Sequence, residues 1–143
     1  MTVKSILNLK GGGVTTGDPS MTIAQVCARL AEQKIGALVM TDESRNVVGI
    51  ISERDVVRVM AQVGAGALSD TAGSHMTKTV ITCRKRDTVD EVMEMMTRGR
   101  FRHVPVVDDG ELVGIISIGD VVKYRMAEVE REAQHLRSYI ATA

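Results

Sequence analysis

Val48-Gly49-Ile50-Ile51-Ser52-Glu53-Arg54-Asp55-Val56-Val57 is written a second time, 65 residues on, as Val113-Gly114-Ile115-Ile116-Ser117-Ile118-Gly119-Asp120-Val121-Val122. Eight of the ten positions are identical, too many for chance in so short a window. Upstream the chain repeats at a shift of 66: Val14, Thr16, Thr22, Val26 and Asp42 fall on Val80, Thr82, Thr88, Val92 and Asp108. One extra turn residue in the loop at 43–47 of the first copy accounts for the change of shift. A repeat of this size is one supersecondary unit, and it buries its apolar face against its neighbour.

Each copy reads strand–helix–strand–strand–helix, so the fold class is α/β. Ile23, Val26, Cys27 and Leu30 recur at helical spacing, as do Val89, Val92, Met93 and Met96. Both stretches open on a capping box, Thr22-x-x-Gln25 and Thr88-x-x-Glu91. A β-rich run follows, Ala37–Thr41 or Val104–Val107, then a turn (residues 42–46 or 108–110) and a second strand ending at Ser52 or Ser117. The second helix begins there. The expected organisation is a first repeat over 1–63 with its N-terminal segment and a Gly/Ala-rich linker over 64–76. A second repeat then covers 77–125, and a C-terminal helix covers 126–143. Neither half carries enough aliphatic surface to stand alone, so the two should pack face to face.

Composition narrows the function. The 143 residues hold no Trp, one Phe and two Tyr, so the core must be aliphatic, filled by Val, Ile, Leu and some of the nine Met. Lys plus Arg equals Asp plus Glu at 18 each, which leaves no net field to draw nucleic acid or an anionic membrane. Arg84-Lys85-Arg86 is the only basic run, and it reads as a solvated loop. Cys27 and Cys83 form no CxxC pattern, and no apolar run approaches the ~18 residues of a membrane span. The N-terminus has no signal-peptide core, so the expected setting is the cytoplasm. His75, His103 and His135 sit in unrelated contexts, and no nucleophile–base pair or metal spacing emerges. An enzyme is not expected.

Three features converge on a binding site. Gly-Ile-Ile-Ser-x-x-Asp, at 49–55 and 114–120, places Asp55 and Asp120 in the first turn of a helix. A carboxylate there can take both hydroxyls of a ribose, while the free helix N–H groups favour phosphate. Ser-x-x-Asp is equally an ordinary capping box, and one copy alone would read as that. Two copies in register, both with Asp, turn the reading toward a ligand. The second feature is Phe101-Arg102-His103-Val104-Pro105, whose cations suit phosphate. The first copy has Gly36 and Ala37 at the places of Arg102 and His103, so its cleft should be roomier and less cationic, with Arg54 supplying charge. Alternatively, Arg98, Arg100 and Arg102 merely complement a helix C-terminus. The third is Lys10-Gly11-Gly12-Gly13, a flexible linker or a site of close backbone approach from which Lys10 reaches a phosphate.

With Ile35-Gly36-Ala37-Leu38-Val39 and Arg102-His103-Val104-Pro105-Val106-Val107 ahead of each copy, the doubled motif resembles the CBS-domain family over residues ~14–125. The style is that of bacterial stand-alone CBS pairs. The resemblance implies two repeats in a pseudo-twofold pair (a Bateman module) with two clefts for adenosyl ligands. AMP leads among these; ADP, ATP, NAD and S-adenosylmethionine are the other candidates, and no metal is required. Carried over by position, Asp120 and Asp55 hold ribose hydroxyls with Ser117 and Ser52 beside them. Val14–Thr16 and Val80–Thr82, with Ile35–Ala37 and Phe101–His103, sandwich the adenine and meet the phosphates. Pro105 and Ile115 are expected among the ligand-binding residues as well.

Beyond the second repeat, Val122, Met126, Val129, Ala133, Leu136 and Ile140 are spaced 4, 3, 4, 3, 4. This is either a helix packing on its own domain or a homodimer seam, and the family's disc-like dimers favour the seam. Two functions share the fold: a nucleotide-responsive regulatory module acting on an unidentified effector, or an assembly module with empty clefts.

Overall fold

The structure, a computed structural model, describes residues 1–11 and 13–142. It opens on Val3–Lys10 (α1), a helix that the sequence pattern does not separate from the first repeat. In that repeat Thr16–Gly17 (β1) pairs parallel with Ala37–Thr41 (β2), and β2 pairs antiparallel with Val47–Ser52 (β3). Ile23–Gln33 (α2) crosses between β1 and β2, and Glu53–Val63 (α3) follows β3. Ile23, Val26, Leu38, Met40 and Ile51 are fully buried together, so the aliphatic core is as expected.

The stretch at 64–76 is not the loose linker that its glycines suggest. It forms a 3-10 turn at Ala65–Ser69 and a short helix, Ala72–His75 (α4). Ala67 and Ala72 are fully buried, and the Cβ of Pro19 lies 3.2 Å from where a Cβ on Gly73 would stand. Ala67, Ala72 and Gly73 sit where the chain packs closely, whereas Gly64 and Gly66 have open space beside them and Gly64 takes a φ of 88°; composition cannot distinguish the two cases.

The second repeat follows the first with one loss. Val89–Gly99 (α5) leads to a hairpin of His103–Asp108 (β4) and Glu111–Ser117 (β5), closed by Asp109 and Gly110 at positive φ. The counterpart of β1 shrinks to one parallel bridge, Cys83 to Val106. Cys83 donates its N–H to the Pro105 carbonyl and accepts from Val107. Extending the ladder to Ile81 would need an N–H from Pro105, which has none. Ile118–Thr142 (α6) then runs without a break through the boundary expected at 125/126.

The arms ahead of the repeats are exchanged. Ala72 and Gly73 of α4 donate to the carbonyls of Met21 and Pro19 in the first repeat. Val3 and Lys4 of α1 donate to Asp87 and Lys85, the matching positions of the second. Met76 lies over Gly49, as Leu7 lies over Gly114. Val3 and Ile6 are therefore buried in the second core, among Val92, Val104, Val106 and Ile116. Each repeat is completed by the segment that precedes the other. Each repeat keeps its own core, the exchanged arms tie the two halves together, and the N-terminal segment packs away from the repeat that it was grouped with.

Candidate functional site

Both Ser-x-x-Asp units are capping boxes. Ser52 donates its N–H to Asp55 Oδ2 (2.9 Å), and Asp55 N–H donates to Ser52 Oγ (3.2 Å). Ser117 and Asp120 make the same pair at 2.9 and 3.1 Å. Capping and ligand binding do not compete here, because an ionised carboxylate offers about four acceptor positions and the cap takes one or two. The cap fixes the rotamer, and acceptor capacity remains on each carboxylate beyond the bonds of the cap.

Around Asp55 the chain forms a cleft of about 560 Å³ built from both repeats. Ser52, Arg54 and Asp55 come from the start of α3, and Val80, Phe101, Arg102 and His103 from the second repeat. Thr77, Thr79 and Ile81 continue one wall, and Arg58 and Arg100 add cations. The expectation for this cleft is half corrected: it is roomy, but it is the cationic one, lined by Arg54, Arg58, Arg100 and Arg102. The cause is Gly36. A Cβ there would come within 3.0 Å of His103 Nε2 and 3.6 Å of Glu53 Oε1, so the start of β4 leans across onto the other repeat. Arg58, 3.0 Å from Asp55 Oδ1, is a site residue that the pattern reading missed. Its signal is local, a cation three positions after the capping Asp.

The Asp120 side is built differently. Lys10 at the end of α1 donates to Asp120 Oδ2 (2.9 Å) and to the Ile115 carbonyl (2.8 Å). With Ile115 it also lines a separate groove of about 310 Å³ between α1 and β5. Gly11 and Gly13 stand beside it at φ 83° and 94°; Gly12 lies outside the described residues. Val14, Thr16 and Ile35 are half-buried and are not brought to the Asp55 cleft. Thr82 lines a third recess beside Arg45 and Val47, and Ala37 and Pro105 are buried in β2 and β4.

Charge states follow from this geometry. Burial holds His103 below the ordinary histidine value, aided by Lys10 and Arg102 and opposed by Glu53 and Asp120. His103 is therefore neutral at pH 7, and the arginines carry the positive charge expected of the Arg102–His103 pair. Burial alone would raise Asp120, but the hydrogen bonds from Lys10 and Ser117 outweigh it and hold the carboxyl below the ordinary value. A depressed carboxyl stabilises the fold above its unfolded pKa, and that contribution is lost as pH falls through the folded value. Lys10→Met should accordingly move the Asp120 titration, followed by carboxyl-carbon NMR, to higher pH; an unmoved midpoint would contradict the pairing. Burial pushes the Cys83 thiol up to about 12, so it is not a nucleophile. Among the described residues no group of three or more His, Cys, Asp or Glu is placed to hold a metal.

With this geometry in hand, comparison with known proteins is informative. The CBS domain family matches residues 13–62 and 72–127. The crystal structure of the CBS-domain containing protein ATU1752 from Agrobacterium tumefaciens superposes with a TM-score of 0.85 at 48% identity, over 87% of this chain and 99% of that one. The CBS domain protein PAE2072 from Pyrobaculum aerophilum, complexed with AMP, gives 0.75 at 32% identity, over 84% and 89%. The mitochondrial CBS domain-containing protein CBSX3 of Arabidopsis thaliana is 33% identical over 150 residues, covering 97% of this chain and 71% of the relative.

Proposed function

The chain belongs to the CBS-domain family, and from that premise we propose that it is a regulatory module that senses an adenine nucleotide, AMP first, and catalyses no reaction. The observation that carries this is the Asp55 cleft, where a capped carboxylate and four arginines face one space of about 560 Å³. That volume is in the range of small-molecule sites. Asp55 takes the ribose diol, Phe101, Val80 and Ile81 supply apolar surface for the base, and the arginines take the phosphate. The AMP complex of the Pyrobaculum relative supports the ligand class.

The membrane has no part in this reading, since no helix among the described residues is long and apolar enough to cross one. The proposed setting is the cytoplasm, although the Arabidopsis relative is mitochondrial. A second reading, assembly, is favoured by α6. Met126, Val129, Leu136 and Ile140 on its stripe are each more than three-fifths exposed, so the helix does not bury this face on its own domain. A homodimer seam accounts for it, and an effector protein could read the dimer.

Native mass spectrometry and calorimetry test both readings. AMP should bind, adenosine should bind more weakly, and AMP affinity should fall with salt as the arginine contacts are screened. Equal affinity for AMP and adenosine would remove the arginines from the phosphate role. The mass should be that of a dimer, and Leu136→Asp should return a folded monomer. A monomeric wild type would end the seam reading.

A further inference from the structure

The two exchanged arms do the same work up to Leu7 and Met76, then diverge. Leu7 and Val14 are seven positions apart, whereas Met76 and Val80 are four apart. After Met76 the chain leaves its helix at once, and Thr77 donates its N–H to the Ile50 carbonyl at 2.9 Å. α1 instead runs one more turn and delivers Lys10. Its ammonium donates to the Ile115 carbonyl, the counterpart of Ile50, and neutralises Asp120 as well. A side-chain cation has replaced a backbone donor. The two carboxylates consequently have different counter-ions. Arg58, on the same helix as Asp55, is 55% exposed and can swing into solvent. Lys10 is 34% exposed, Asp120 is 16% exposed, and the helix carrying Lys10 is anchored by Val3 and Ile6 in the second core.

We propose that Lys10 is a specificity-determining residue, a tethered counter-ion that closes the Asp120 side to uncharged adenosyl ligands and admits those carrying a phosphate. This rests on the reading of these aspartates as ribose-binding carboxylates. A ribose that takes Asp120 must displace the ammonium. The freed cation stays beside the ligand, because α1 is held by its buried face. A phosphate on the ligand gives it a new partner and restores the charge balance. A nucleoside leaves it half-buried and unpaired, which is costly. A sulfonium ligand such as S-adenosylmethionine adds a second cation and fares worse still. Asp120 Oδ1 has no protein partner among the described residues, so the carboxylate can still accept from the diol during the exchange.

The test is calorimetry on the full chain in an Asp55→Asn background, which silences the wide cleft and leaves the Asp120 side to report. AMP should be preferred over adenosine by roughly tenfold or more. Adding Lys10→Met should strengthen adenosine and weaken AMP until the two lie within about threefold. Lys10→Arg should keep the preference. Equal effects of Lys10→Met on both ligands would make Lys10 a plain latch, and no effect on either a bystander; both outcomes overturn the inference. Should the Asp55→Asn protein bind neither ligand while the wild type binds one AMP, the inference falls and the proposed function stands. Should the wild type bind none, both fall.

Discussion

Asp55→Asn is expected to weaken AMP binding in the wide cleft by at least about a hundredfold, because hydrogen bonds to a charged group contribute roughly 1.5–3 kcal/mol each and two are lost in strength. The fold should tolerate the change. Asn keeps a side-chain oxygen to accept the Ser52 N–H, so the capping box survives in part. Arg58 loses its anionic partner at 3.0 Å, but it is mostly exposed, and such pairs add little stability. A melting temperature close to that of the wild type, together with a large loss of affinity, is therefore the signature of a ribose-binding carboxylate. The opposite pattern, a drop of about 0.5–2 kcal/mol in stability with unchanged affinity, would reduce Asp55 to a helix cap. 2′-Deoxy-AMP offers an independent readout. It lacks one of the two hydroxyls, and should it bind as tightly as AMP, the ribose role fails.

Ile6→Ala should destabilise the protein by about 2–5 kcal/mol, although Ile6 lies in an arm at the very start of the chain. Ile6 is 3% exposed and packs in the core with Val92, Val104 and Ile116, so its removal leaves a cavity inside the second repeat. For a chain of this size the melting temperature should fall by roughly 5–15 °C. Leu9, on the same helix but 75% exposed, provides the control: Leu9→Ala should stay within about 0.5 kcal/mol. Hydrogen exchange should register the loss in β4 and β5 first, since those strands form the core that α1 covers. A melting curve for Ile6→Ala that overlays the wild type would show that the arm is not docked on the second repeat in solution.

Much of what short-range contacts govern was legible from the residues alone, the Arg58–Asp55 pair and the short helices of the arms excepted. The capping boxes at Thr22–Gln25, Ser52–Asp55, Thr88–Glu91 and Ser117–Asp120 all form, because both partners of each lie three residues apart. Strand and helix positions follow the apolar periodicity for the same reason, and the doubled motif exposes the repeat and its family. Long-range consequences were hidden. Thr2-Val3-Lys4-Ser5 and Thr71-Ala72-Gly73-Ser74 share a Thr and a Ser at a shift of 69, a faint trace of the equivalent arms. Nothing in those letters says that the arms are exchanged. Pro105 does announce a missing donor, yet only the pairing of Cys83 with Val106 shows that the lost rung belongs to the strand at Ile81.

The charges show the division most sharply. Spacing identifies Asp55 and Asp120 as equivalent groups at equivalent helix starts. Asp55 meets its cation, Arg58, on its own helix, whereas the cation that Asp120 meets depends on packing across the repeats: one extra turn of α1 carries Lys10 across the pair to Asp120. Hydrogen bonds between near neighbours are set by local backbone geometry, so the residues specify them directly. A contact between Lys10 and Asp120, 110 positions apart, exists only because the two cores bury the arms that bring them together.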